Sequence, residues 1–142
     1  MRNCLLVLPA ILMFSLASGQ DRKMGKPALE TALSDVFSGN ILSGGVIYAT
    51  YLTLNHCRYC DMGTYSLVTI PRGSVETSTM QQGEWTVLRG SAKDRNATVV
   101  ELDDSKLRGM YYYLRTKNGD LQQLDSLLRD IKPVKEHMLK KQ

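Results

Sequence analysis

Val46-Ile47-Tyr48-Ala49-Thr50-Tyr51-Leu52-Thr53-Leu54 is the stretch that decides the fold. Its period is two: Val46, Tyr48, Thr50, Leu52 and Leu54 share one face, and Ile47, Ala49, Tyr51 and Thr53 share the other. Most of these are β-branched or aromatic types that suit a pleated surface, so the segment reads as one long strand. Thr64 to Ile70 repeats the character through Tyr65, Leu67, Val68 and Ile70, and it ends at Pro71-Arg72-Gly73, which cannot continue a central ladder. The two runs bracket Asn55 to Gly63 and form a hairpin whose tip carries an unusual set of side chains.

Shorter strand-like runs follow at Val75 to Met80, Gly83 to Leu88, Ala97 to Leu102, Gly109 to Lys117 and Asp120 to Leu124. Turn signals at Gln81-Gln82-Gly83, Gly90 to Asn96, Asp103 to Arg108 and Asn118-Gly119 separate them. Asn118-Gly119 fits a type I′ turn, which needs two positive φ angles. Local antiparallel connections without a βαβ rhythm predict an all-β domain: a small antiparallel barrel or strongly curled sheet of six or seven strands. Trp85, Val87, Tyr111 and Tyr113 are expected to fill its interior, with Tyr112 on the opposite face. Leu127, Leu128 and Ile131 are expected to cover a barrel end.

Upstream, Leu29, Ala32, Leu33 and Val36 recur at three- and four-residue spacing, with Gly39 as a stop. They predict one short N-terminal helix over Ala28 to Phe37. The expected organisation is a signal peptide over 1–19, a lead-in with the helix over 20–44, the barrel over 45–131, and a mobile basic tail over 132–142.

The signal peptide is read from Arg2, the apolar run Cys4 to Phe14, and the small-residue exit Ala17-Ser18-Gly19. The apolar run is shorter than the roughly 20 residues a spanning helix needs, and polar residues follow from Gln20. Cleavage is expected after Gly19. Gln20 stands where a lipobox would place its lipidated cysteine, which disfavours lipid anchoring, so the chain is expected to be periplasmic or secreted. Removing 19 of the 142 residues leaves 123, one domain's worth. Cys57 and Cys60 then remain as a pair, and the formal charge falls from +4 to +3 with the loss of Arg2. The charge is dispersed, with a basic cluster only at Lys135, Lys140 and Lys141, and no nucleic-acid partner is expected.

The chemically pointed segment is His56-Cys57-Arg58-Tyr59-Cys60-Asp61-Met62. In an oxidising compartment two nearby cysteines form a disulfide by default, although closing so short a loop contributes little. Arg58 favours a thiolate, and His56, Cys57, Cys60 and Met62 together offer imidazole, thiolate and thioether ligands that suit Cu(I). A closed zinc site would need Asp61 or His137 as well. Thioredoxin-type chemistry is excluded, because that motif opens a helix whereas Gly63-Thr64-Tyr65 opens a strand. His56 and His137 are the only histidines, and no serine sits in a nucleophile elbow. No enzyme activity is expected.

Leu52-Thr53-Leu54-Asn55, Gly63-Thr64-Tyr65-Ser66-Leu67 and Gly83-Glu84-Trp85, followed by Tyr111-Tyr112-Tyr113-Leu114 and Asn118-Gly119-Asp120-Leu121-Gln122-Gln123-Leu124-Asp125, resemble in order the N-terminal domain family of the copper-resistance protein NlpE. The resemblance spans roughly residues 45 to 125. It implies a lipocalin-like barrel in the bacterial cell envelope, linked to copper tolerance and envelope-stress sensing, with no catalysis. The family's own Cys-x-x-Cys precedes its first hairpin, where Val46, Ile47 and Tyr48 stand here, so no family cysteine carries over. Two readings stay open. In one, an envelope protein binds copper or reports redox state through its cysteine tip. In the other, a lipocalin-like module holds a small apolar ligand, and the cysteines are a structural disulfide. A partner protein in the envelope is a further expectation.

Overall fold

The computed structural model describes residues 32–73, 77–104 and 109–142. The expected signal peptide, its cleavage after Gly19 and the first residues of the expected helix lie outside these. Eight antiparallel strands form a closed barrel in sequence order. They are β1 (Leu33–Ser43), β2 (Val46–His56), β3 (Met62–Pro71), β4 (Thr79–Arg89), β5 (Thr98–Asp104), β6 (Gly109–Arg115), β7 (Leu121–Leu124) and β8 (Met138–Lys141). A single 3₁₀ turn, Val134–Glu136, precedes β8. No helix among the described residues is long and apolar enough to cross a membrane.

The all-β barrel stands, with eight strands rather than six or seven, and two segments account for the difference. Leu33 to Phe37, expected to end the N-terminal helix, belongs to β1 instead. Leu33 and Val36, two of the residues whose spacing reads as helical, are three apart and so stand on opposite faces of the strand, 41% and 40% exposed, while the inward face carries Phe37 and Ile41 with Gly39 between them. Gly39 is no helix stop: a Cβ there would collide with the carbonyl oxygen of Met138, where β8 crosses close by. The second segment is the expected mobile tail, whose residues Met138–Lys141 are the closing strand. Phe37 pairs with Lys141 and Leu121 with Leu139, and Leu139 is fully buried.

Two turns also differ. Gln81-Gln82-Gly83 lies inside the continuous strand β4, and Gly83 is there because Tyr65 and the backbone of Asp103 leave no room for a side chain. At Asn118-Gly119 only Gly119 has positive φ, at 85°. Gly119 N–H donates to Thr116 O (3.0 Å) and Thr116 N–H to Asp120 O (2.9 Å). That is a three-residue hairpin loop with glycine in the left-handed position, not a type I′ turn.

The core follows the alternation of the strands. Leu52, Leu54, Tyr65, Trp85, Leu102 and Leu139 are buried in one cluster, Tyr113 joins them, and Val87 and Tyr111 pack against it. Each fully buried aliphatic side chain contributes roughly 1.5 to 3 kcal/mol of transfer free energy. Ala97, Val99 and Leu124 are buried but stand outside that cluster. Val99 alternates with the inward residues Val100 and Leu102, so it faces outward. Beside it, Ala92 N–H donates to Leu128 O at 3.0 Å, and Asp130 accepts from Gln122 Nε2 at 2.9 Å and pairs with Lys93. The 125–130 turn thus straps the outer wall. Leu127, expected to help cover a barrel end, is exposed.

Candidate functional site

The two ends of the barrel differ in chemistry. At one end β2 runs out at His56, and the chain turns through Cys57 to Asp61 before β3 begins. Cys57 and Cys60 lie at disulfide-bonding distance with Cα atoms 5.2 Å apart, within the usual range for a bridge. Cys60 N–H donates to Cys57 O at 3.2 Å, and Tyr59 at the apex takes a left-handed φ of 75°. Arg58 lies 5.5 Å from the centre of the Tyr59 ring, which is 92% exposed. The far side of the loop is pinned by Val87 N–H donating to Asp61 O at 3.0 Å.

Beneath this loop a polar chain spans the barrel end. Lys141 Nζ lies 2.8 Å from Asp35 Oδ1, and Asp35 Oδ2 lies 3.3 Å from His56 Nε2. His56 Nδ1 donates to Cys57 O at 2.9 Å. Both imidazole nitrogens therefore face oxygen atoms. Trp85 meets the His56 ring edge-on, with centroids 6.0 Å apart and planes at 86°, and donates from Nε1 to Asn55 O at 3.0 Å. Burial alone would push the Asp35 carboxyl up. The hydrogen bond and charge of Lys141, with His56 adding to them, outweigh burial and hold it below the ordinary carboxylate value.

Toward the opposite end, near the β1–β2 turn, the interior holds a cavity of about 180 Å³. Tyr48 lines it from β2, and Tyr111 and Tyr113 from β6, the strand diametrically across the barrel. Ser43, Thr50, Thr69, Gln81 and Gln123 supply polar atoms, Ile41 and Leu67 supply apolar surface, and among the described residues no lining side chain carries a charge. Burial, and then the neighbouring Tyr111 and Tyr65, push the hydroxyl pKa of Tyr113 up, so it stays neutral. A larger groove of about 260 Å³, lined by Asn40, Leu42, Ile47, Arg72, Lys135 and Glu136, lies on the outer wall. Its size does not make it the better site, because Leu42 and Ile47 point away from the enclosed interior.

The structure brings some of the expected residues together and separates others. Cys57 and Cys60 meet each other, and His56 turns its nitrogens to Asp35 and to backbone. Met62, at the start of β3, is 63% exposed. His137 is remote from this tip: it bridges Ile41, eight residues along β1 from the Leu33 that pairs with His56, or about 26 Å at strand rise. Among the described residues no group of three or more His, Cys, Asp or Glu side chains is placed to hold a metal ion. Sequence reasoning missed Asp35 and Lys141, which it had placed in a helix and a tail. It allowed for a ligand-holding barrel but named no lining residues, although Tyr48 and Thr50 already stood on the inward face of β2, where an inward threonine is a usable signal. The chain matches no protein-family model, no curated protein and no solved structure.

Proposed function

We propose that this protein is an exported, non-enzymatic binding module that holds a compact, uncharged ligand in the open half of its barrel. The observation that carries this reading is the contrast between the ends: one is plugged by Trp85, His56, Asp35 and the cysteine loop, and the other keeps a cavity whose described lining is aromatic, hydroxylic and uncharged. Small-molecule sites are concave and mostly apolar with a few placed polar groups. At about 180 Å³, this cavity falls below the roughly 300 to 1,000 Å³ of drug-sized pockets. Export is supported by the charged, apolar and small-residue order of residues 1–19 and by a cysteine pair at bonding distance, which persists in oxidising compartments. Native mass spectrometry of the purified protein is expected to show a small retained adduct that Thr69→Trp, filling the cavity, abolishes. Unchanged adduct in that variant would place the ligand elsewhere. Intact mass of the exported chain is expected to begin at Gln20 and to lack the two thiol hydrogens of Cys57 and Cys60.

A second reading, in keeping with the resemblance to the NlpE family, is that the His56 to Met62 tip binds Cu(I) or reports redox state. It is favoured by the exposure of Tyr59 and Met62 at the tip that carries the cysteine pair. Bonded sulfurs offer no thiolate, so this role requires the reduced form. Titrating reduced protein and a Cys57→Ser, Cys60→Ser variant with Cu(I) separates the readings, and equal binding by both proteins removes the metal role.

A further inference from the structure

We propose that Gln123 is the specificity-determining hydrogen-bond donor of the cavity, and that the ligand is a compact, uncharged ring compound carrying a carbonyl-type acceptor. This rests on the cavity reading above. Gln123 lines the cavity from β7, opposite Tyr113 in the β6–β7 register. Its carboxamide is held from behind by His137, whose Nδ1 lies 3.1 Å from Gln123 Oε1. A carboxamide oxygen only accepts, so the imidazole N–H donates. The Gln123 backbone N–H donates in turn to His137 O at 2.8 Å, so side chain and main chain are tied to the same residue. His137 is itself 5% exposed, and burial holds its pKa below the usual histidine value against a smaller opposing effect of Glu136, which keeps the ring neutral.

The consequence is directional. With its oxygen taken up by His137, Gln123 presents its NH₂ to the cavity, and it donates to no other described residue. A fixed donor in a partly desolvated site selects for an acceptor, because a ligand without one leaves that donor unpaired. The ring preference comes from Tyr48 on one wall and Tyr111 and Tyr113 on the wall across from it, since aromatic side chains pair favourably with other rings, stacked or edge-on. None of the described lining residues is charged, and against these walls the desolvation of a carboxylate or ammonium group goes uncompensated.

The test uses the purified protein and four probes: acetophenone, ethylbenzene, benzoate and glucose, followed by chemical-shift titration. Acetophenone is expected to bind about tenfold more tightly than ethylbenzene, the size of one good hydrogen bond, and to shift the side-chain NH₂ resonances of Gln123, which ethylbenzene leaves in place. Gln123→Leu is expected to remove that advantage, read as the ratio of acetophenone to ethylbenzene affinity within the variant, which falls to about one. The NH₂ shift is read on the unaltered chain, so the test survives a variant that folds poorly. Equal binding of acetophenone and ethylbenzene, or acetophenone binding with Gln123 unmoved, overturns the inference and leaves the cavity reading standing. Tightest binding by benzoate or glucose overturns the ligand class. If none of the four perturbs Tyr48, Tyr111 or Tyr113, both the inference and the cavity reading fail.

Discussion

Asp35 shows how a single side chain links the cysteine tip to barrel closure. It stands on β1, the first strand, and receives Lys141 from β8 and His56 from the end of β2. Its folded pKa is lowered, so the unfolded chain binds protons more readily in the acid range. The stabilisation is present above the unfolded carboxylate pKa of about 3.9 and is lost as pH falls through the lower folded value. Asp35→Asn is expected to lose less stability between about pH 5 and pH 2 than the unaltered chain, read as urea midpoints across that range. His137 works in the same direction by another cause. Burial lowers its pKa, so the unfolded state takes up a proton first, and stability falls once pH drops below the unfolded value of about 6.5. His137→Phe is expected to flatten the curve between about pH 6.5 and pH 5.

Among the elements, β2 and β3 were legible because their alternation is long and uninterrupted, and the hairpin between them follows from it. β1 was not, since Leu33 and Val36, three apart on opposite faces of the strand, imitate a helical spacing, and glycine at position 39 erases one side chain of the inward alternation. β8 was not either: four residues, two of them lysines, contain no readable period, and its identity comes from partners far away in sequence. The cysteine tip could be located from residue types alone. Asp35 and Lys141 could not, because each belongs to one of those two strands, and a cavity depends on how side chains fill a volume. Leu139→Ala in β8 is expected to cost about 2 to 5 kcal/mol in denaturant unfolding, the loss of a fully buried leucine. Gly39→Val is expected to be at least as damaging, because the Met138 backbone cannot retreat without parting β8 from β1.

For the molecule as a whole, the cysteine pair and the strand ladder contribute unequally. A loop of the length between Cys57 and Cys60 is expected to contribute about 2 kcal/mol through the unfolded state. The Cys57→Ser, Cys60→Ser variant should therefore keep the barrel's amide spectrum and lower its unfolding free energy by no more than that. A larger loss would mean that the tip organises His56 and Trp85 beyond its own loop.

The β1–β8 seam has a consequence of its own. Every other pair of neighbouring strands is consecutive in sequence, whereas this one joins the first strand to the last through Phe37–Lys141, Ser38–Lys140 and the Ile41–His137 bridge. Consecutive pairings form early because little chain must be ordered between them, and the seam has to wait for all of them. It is thus expected to be the last ladder to zip, and because both ladders of β8 are short, amide exchange along β8 should report its opening before global unfolding. Two molecules opened there at high concentration present each other with the vacant edge that β8 fits, so the seam is also the place where this barrel would exchange a strand and become a swapped dimer.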